Sequence, residues 1–150
     1  METCLYDLLK DFVVENCHDG WVFVTSNSSF YAKNERKVIQ KGDDIFFANY
    51  YIDIDDVFNV PVFSTVFYYE NGQRILFNDF LNIITEDLTL ESVSEREHPI
   101  LHIPVFFVHP CKTAEFVKPF TDLGLKYMNV FVGRYGSVFR YRIPSMGPKH

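Results

Sequence analysis

A series of aromatic and β-branched stretches between Trp21 and Phe77, each closed by a turn signal, constrains the fold more than any other feature of this chain. Trp21 to Tyr31 reads as extended, and Asn34-Glu35 is placed to turn the chain. Lys37 to Ile54 is a second extended stretch with a break at Gly42-Asp43. Val60 to Tyr69 is a third, with Pro61 near its start, where a strand tolerates proline. Asn71-Gly72 is a tight-turn pair leading into Arg74 to Phe77. Neighbouring strands joined by such short turns pair antiparallel, so the pattern predicts a meander.

Helical spacing frames this meander. Leu5, Leu8, Leu9, Phe12 and Val13 predict an amphipathic first helix that ends between Asn16 and Gly20. Asn78 is positioned to cap a helix with Phe80, Leu81 and Ile84 on its apolar side. Thr85 to Glu95 is polar and reads as an irregular surface crossing. Thr113 is placed to cap a short helix limited by Pro119, and another helix is expected from Leu123 to about Tyr135. Gly133 and Gly136 weaken its end, Val138 to Ile143 reads as extended, and the tail Pro144 to His150 has little to bury. Helices segregated from an antiparallel sheet make an α+β fold.

The chain of 150 residues is expected to form one domain, residues 1–150, with a hydrophobic share of 47% that excludes disorder. A formal net charge of −6 without a basic stretch argues against nucleic acid as a partner. No apolar run reaches the roughly 18 residues that a spanning helix needs. The start, Met1-Glu2-Thr3-Cys4, has no basic leader followed by an apolar segment, so secretion is not expected. Three widely spaced cysteines, Cys4, Cys17 and Cys111, fit a reduced cytosolic chain.

Of these cysteines, Cys111 has the surroundings of a nucleophile. Val105 to Val108 is bulky and apolar, hence a short buried strand, and His109-Pro110 stops it. Cys111 follows where the chain leaves the core, so its sulfur is both held by the core and open to solvent. With Thr113 as a cap, it lies just before the positive end of a helix and beside Lys112, a setting that favours thiolate. Cys4 and Cys17 read as small buried hydrophobes. A zinc site from His98, His102, His109 and Cys111 is disfavoured, because Pro99 and Pro104 exclude the regular helix that would align His98 with His102. A cysteine-protease dyad is disfavoured too, since the nearby histidines share the cysteine's own segment.

Glu97-His98-Pro99-Ile100-Leu101, then Pro104 to Phe107, then His109-Pro110-Cys111-Lys112-Thr113 with Glu115-Phe116, form an ordered set of motifs. That set resembles the active-site segment of the autophagy-related protein ten family, E2-like enzymes that carry a ubiquitin-like modifier as a thioester on cysteine. The resemblance implies a ubiquitin-conjugating-enzyme-like fold with Cys111 as the thioester residue. It implies three partners: an activating enzyme, the modifier (autophagy-related protein twelve) and a lysine of the target (autophagy-related protein five). Neither a metal nor a small-molecule cofactor is implied. The location implied is the cytoplasm, with recruitment to sites of autophagosome assembly.

Ordinary ubiquitin-conjugating enzymes place His-Pro-Asn upstream of the cysteine, and the asparagine amide serves the oxyanion stage. Here His98-Pro99-Ile100 stands in that place, and isoleucine has no side-chain donor. His98, Asn59 or backbone amides are the substitutes, and His109 is a further supporting residue. Asp53, Asp55 and Asp56 form the densest acidic group and are candidates for orienting the lysine, although a solvated strand end explains them as well. Phe58 and Tyr50-Tyr51 read as sheet packing. Two alternatives stay open. One is the sister enzyme that conjugates a modifier to phosphatidylethanolamine, whose family usually carries a long flexible insertion not seen here. The other is a non-catalytic interaction domain on the same fold. A cysteine hydrolase is a weaker third.

Overall fold

The computed structural model describes residues 4–84 and 93–144. Helix α1 (Leu5–Glu15) leads through a short 3₁₀ turn into strands β1 (Val22–Ser26), β2 (Ser29–Lys41), β3 (Asp44–Asp55) and β4 (Val60–Tyr69). Helix α2 (Phe77–Ile84), strands β5 (Val93–Glu97) and β6 (Pro104–Val108), and helices α3 (Pro110–Val117) and α4 (Leu125–Val138) follow. The strands form one antiparallel sheet in the order β1-β2-β3-β4-β6-β5. This is the α+β arrangement that the hydrophobic pattern predicts.

The two faces of the sheet are covered differently. Alternation along the strands sends Phe63, Phe67, Phe106 and Val108 into a main core. Leu9 and Phe12 of α1, Phe80 of α2 and Phe131 of α4 fill it from the helices. Phe80 anchors the centre, with ring centroids 4.1 Å from Phe106 and 4.9 Å from Phe67. On the opposite face Tyr31, Tyr51, Val66 and Val105 make a smaller core, covered by Ile100, Leu101 and Ile103 of the β5–β6 loop.

Several expectations are corrected. The first hairpin turns at Asn27-Ser28, with Ser26 opposite Ser29 and Asn27 at φ +54°, a conformation asparagine tolerates. Asn34-Glu35 does not turn the chain; it opens a bulge between Asn34 and Lys37 in which Arg36 takes φ +63°. The break at Gly42-Asp43 is a true turn, with Lys41 opposite Asp44. Arg74 contributes only a single bridge, to Tyr68, rather than a strand. Asn78 lies inside α2, which starts one residue earlier, and the Phe80 amide donates to the Leu76 carbonyl at 2.8 Å.

The expected irregular segment Thr85 to Glu95 falls partly outside the described residues, and its end, from Val93, belongs to β5. The strand leaves no alternating signal in the sequence because, as an edge, it exposes Ser94, Glu95 and Glu97 and buries Val93. Helix α4 continues to Val138, so the stretch after it is not extended from that residue, and no strand follows among the described residues. Gly136 sits within α4 for packing: a Cβ there would lie 3.1 Å from the Tyr141 ring and 3.2 Å from its carbonyl. The tail beyond Pro144 lies outside the described residues.

Candidate active site

Strand β6 brings its buried run to His109, where the chain changes direction. His109 is the N-cap of α3 at φ −58°, ψ 136°, and Pro110 fills the first helical position, where its missing N–H costs nothing. Cys111 is therefore inside the first turn of α3, not ahead of it, and Thr113 is buried in the helix instead of capping it. The cap is the His109 imidazole, whose Nδ1 accepts the Cys111 backbone N–H at 3.0 Å. Accepting at Nδ1 leaves the ring proton on Nε2. The Cys111 thiol is exposed.

Cys4 and Cys17 are exposed as well, against the expectation that they are buried. Exposure alone thus does not set Cys111 apart; its place beside His109 in a helix first turn does.

The β3–β4 turn reaches this same end of the sheet. Its Phe58 ring stands edge-on to the His109 ring, centroids 5.8 Å apart, and Phe107 lies 6.4 Å away on the strand below. Phe58 is 41% exposed, so it is not the sheet-packing residue that the sequence suggests. Asn59 follows it, exposed and at φ +54°. Tyr50 does pack as expected, fully buried with its hydroxyl donating to the Phe139 carbonyl at 2.8 Å.

The three aspartates do not act together. Asp55 Oδ2 accepts the Phe58 N–H at 2.7 Å and so closes the turn, while Asp56 faces solvent. Asp53 is buried on the second face of the sheet, where Arg96 Nη2 meets its Oδ1 at 3.0 Å. Burial outweighs that cation and pushes the Asp53 carboxyl up to about 6. The Arg96 guanidinium also lies 4.7 Å over the Phe107 ring.

The histidines are likewise separated. His98 is fully buried between the Tyr31 and Tyr51 rings, and its Nδ1 accepts the Ile100 and Leu101 amides at 3.2 and 3.1 Å. Its Nε2 has no hydrogen-bond partner, and Asp53 Oδ1 lies 3.6 Å from it. His98 thus holds the β5–β6 loop in shape. A ring so enclosed has no nitrogen to offer a group carried on the exposed Cys111. His102 is exposed and faces Glu97 at 3.0 Å.

This buried cluster carries a pH signature. Burial, followed by the Arg96 charge, pushes His98 down to about 4 from 6.5. The unfolded chain takes up that proton first, so the His98 contribution to stability is present above pH 6.5 and lost as pH falls toward 4. Asp53 has the opposite sign: the folded state takes up its proton near 6 and the unfolded state near 3.8, so acidification through that window stabilises. His98→Leu removes the first contribution and leaves the second. The stability gap between wild type and His98→Leu is expected to shrink by about 2 kcal/mol between pH 7 and pH 5. Urea unfolding at both pH values checks this, and an unchanged gap would contradict it.

Comparison with known proteins places the chain. The sequence model of the family described as autophagocytosis associated protein, active-site domain, matches residues 10–146. Over 29 residues the chain is 52% identical to the human (Homo sapiens) ubiquitin-like-conjugating enzyme ATG10, a stretch covering 19% of this chain and 13% of that enzyme. A crystal structure of the autophagic E2 Atg10 superposes with a TM-score of 0.58 over 91% of this chain and 94% of that chain, at 14% identity. At such identity the likeness bears on the fold, which is the E2-like α+β fold. With residues 10–146 matched, the chain belongs to the family described as autophagocytosis associated protein, active-site domain.

Proposed function

We propose that this chain is a single E2-like conjugating domain that carries a ubiquitin-like modifier as a thioester on Cys111 and passes it to a protein lysine. The observation that carries this reading is an exposed thiol in the first turn of α3, with its amide bound by His109, in a chain of this family. In the first step the Cys111 thiolate attacks the thioester on the activating enzyme. The new sulfur–carbonyl bond forms as the old one breaks, and the activating enzyme's thiolate leaves. In the second step the neutral lysine nitrogen bonds to the carbonyl carbon, the carbon–sulfur bond breaks with its electron pair leaving on the Cys111 thiolate, and the proton lost from nitrogen passes to water.

Between the bonding and breaking stages of the second step, charge collects on the carbonyl oxygen, which needs a donor. The Nε2–H of His109 fills that need in our reading, since Nδ1 is engaged by the Cys111 amide. Asn59, next to Phe58, is the second donor candidate, and His98 has the structural part already described. The modifier is autophagy-related protein twelve and the acceptor is a lysine of autophagy-related protein five. The setting is the cytoplasm, at sites of autophagosome assembly. ATP is consumed upstream, by the activating enzyme. No helix among the described residues is long and apolar enough to cross a membrane.

Reconstitution tests the acceptor. With activating enzyme, modifier, ATP and the protein acceptor, a conjugate that survives thiol reductant is expected, while liposomes containing phosphatidylethanolamine yield no product. Transfer to the lipid alone would replace this reading with that of the sister enzyme.

A further inference from the structure

A large aromatic side chain at the tip of a polar turn calls for an explanation. Asp56, Val57 and Asn59 around Phe58 are all exposed, and Val57 is 85% so. Phe58 turns instead toward His109, at an interplanar angle of 80°. Its backbone is pinned from both sides. Its N–H is held by Asp55, and the turn runs directly into β3 and β4, which pair from Asp55 opposite Val60. The ring is thus carried on a rigid support.

The His109 ring, by contrast, is held by one hydrogen bond, from the Cys111 amide, and by its aromatic neighbours. His109 is exposed, and apart from Phe58 its ring has Phe107 as neighbour, farther off and tilted by 45°. A rotation of the imidazole about χ2 would take Nδ1 off the Cys111 amide and release the ring from a single tautomer. An edge-to-face aromatic neighbour restricts that rotation.

We infer that Phe58 is a positioning residue for the transfer step, holding the His109 imidazole in the one orientation that binds the Cys111 amide through Nδ1 and keeps the donor proton on Nε2. The inference rests on the function proposed above. Placement errors of about 1 Å can cost up to about 10²-fold in rate, and a ring that samples several orientations keeps part of its activity. A loss of about tenfold is therefore expected on removing the aromatic neighbour.

The test uses the full chain and two acceptors. Pre-charged Phe58→Leu should discharge about tenfold more slowly than wild type onto both free lysine and the protein acceptor, while charging of Cys111 is unchanged. Phe58→Tyr, which keeps the ring, should restore the wild-type rate, and Val57→Ala should match wild type on free lysine. Nitrogen-15 NMR of the His109 side chain in the uncharged protein should show a single Nε2–H tautomer in wild type and Phe58→Tyr, and an averaged signal in Phe58→Leu. Slowing on the protein acceptor alone would make Phe58 an acceptor contact and overturn the inference. A wild-type tautomer signal or a wild-type free-lysine rate in Phe58→Leu would overturn it too. If wild type fails to charge at all, the proposed function fails, and the NMR comparison still decides whether Phe58 orients His109.

Discussion

Cys111→Ala is expected to abolish the modifier adduct while leaving the fold intact. The thiol is on the surface, in the first turn of α3, and it fills no part of either core. Cys111→Ser should give the complementary result, a trapped oxyester that resists thiol reductant, because an alkoxide is a poorer leaving group than a thiolate. Cys4→Ala and Cys17→Ala should charge as wild type does. All three thiols are exposed, so a difference among them reports local chemistry instead of access. Reducing and non-reducing gels of the four variants give the comparison. Undiminished adduct on Cys111→Ala would end the account.

His109 should show the second largest effect, and only after charging. Pre-charged His109→Ala is expected to discharge to lysine about 10²-fold more slowly, the usual cost of losing one oxyanion donor. The substitution also removes the cap on the Cys111 amide, a loss that costs a helix about 1 kcal/mol. Two further variants separate cap from donor. His109→Asp keeps an acceptor for the Cys111 N–H and has no donor, so its discharge should be at least as slow as that of His109→Ala. His109→Asn supplies both an acceptor and a donor and should recover part of the rate. Charging should proceed in all three. Full recovery by His109→Asp in single-turnover discharge would show that capping alone matters and that the donor lies elsewhere.

The stretches Lys37 to Ile54 and Val60 to Tyr69, the turn at Gly42-Asp43 and the exit of the chain at His109-Pro110 are legible because they depend on local chemistry: β-branched and aromatic runs, a turn pair, and a proline that ends a ladder. The site itself was legible as a cysteine after a buried strand, with a motif set around it. What escaped depends on contacts between distant segments. Phe58 looks like any strand-end aromatic until the β3–β4 turn is set beside β6, and only then does it face His109. Arg96 gives no signal in a polar run, yet it crosses the sheet from β5 to Asp53 on β3. His98 carries a recognisable motif, but burial between two tyrosines gives it a part in the loop. Threonine is a common capping residue and points to Thr113, whereas here the His109 imidazole caps the helix from the position before Pro110.

The central claim, that Cys111 carries the modifier, is tested most directly by intact-mass measurement of the wild-type chain after incubation with activating enzyme, modifier and ATP. The account predicts a mass increase equal to one modifier less one water, reversed by thiol reductant and assigned by peptide mapping to Cys111. An adduct that withstands reductant, or one that maps to Cys4 or Cys17, would contradict it.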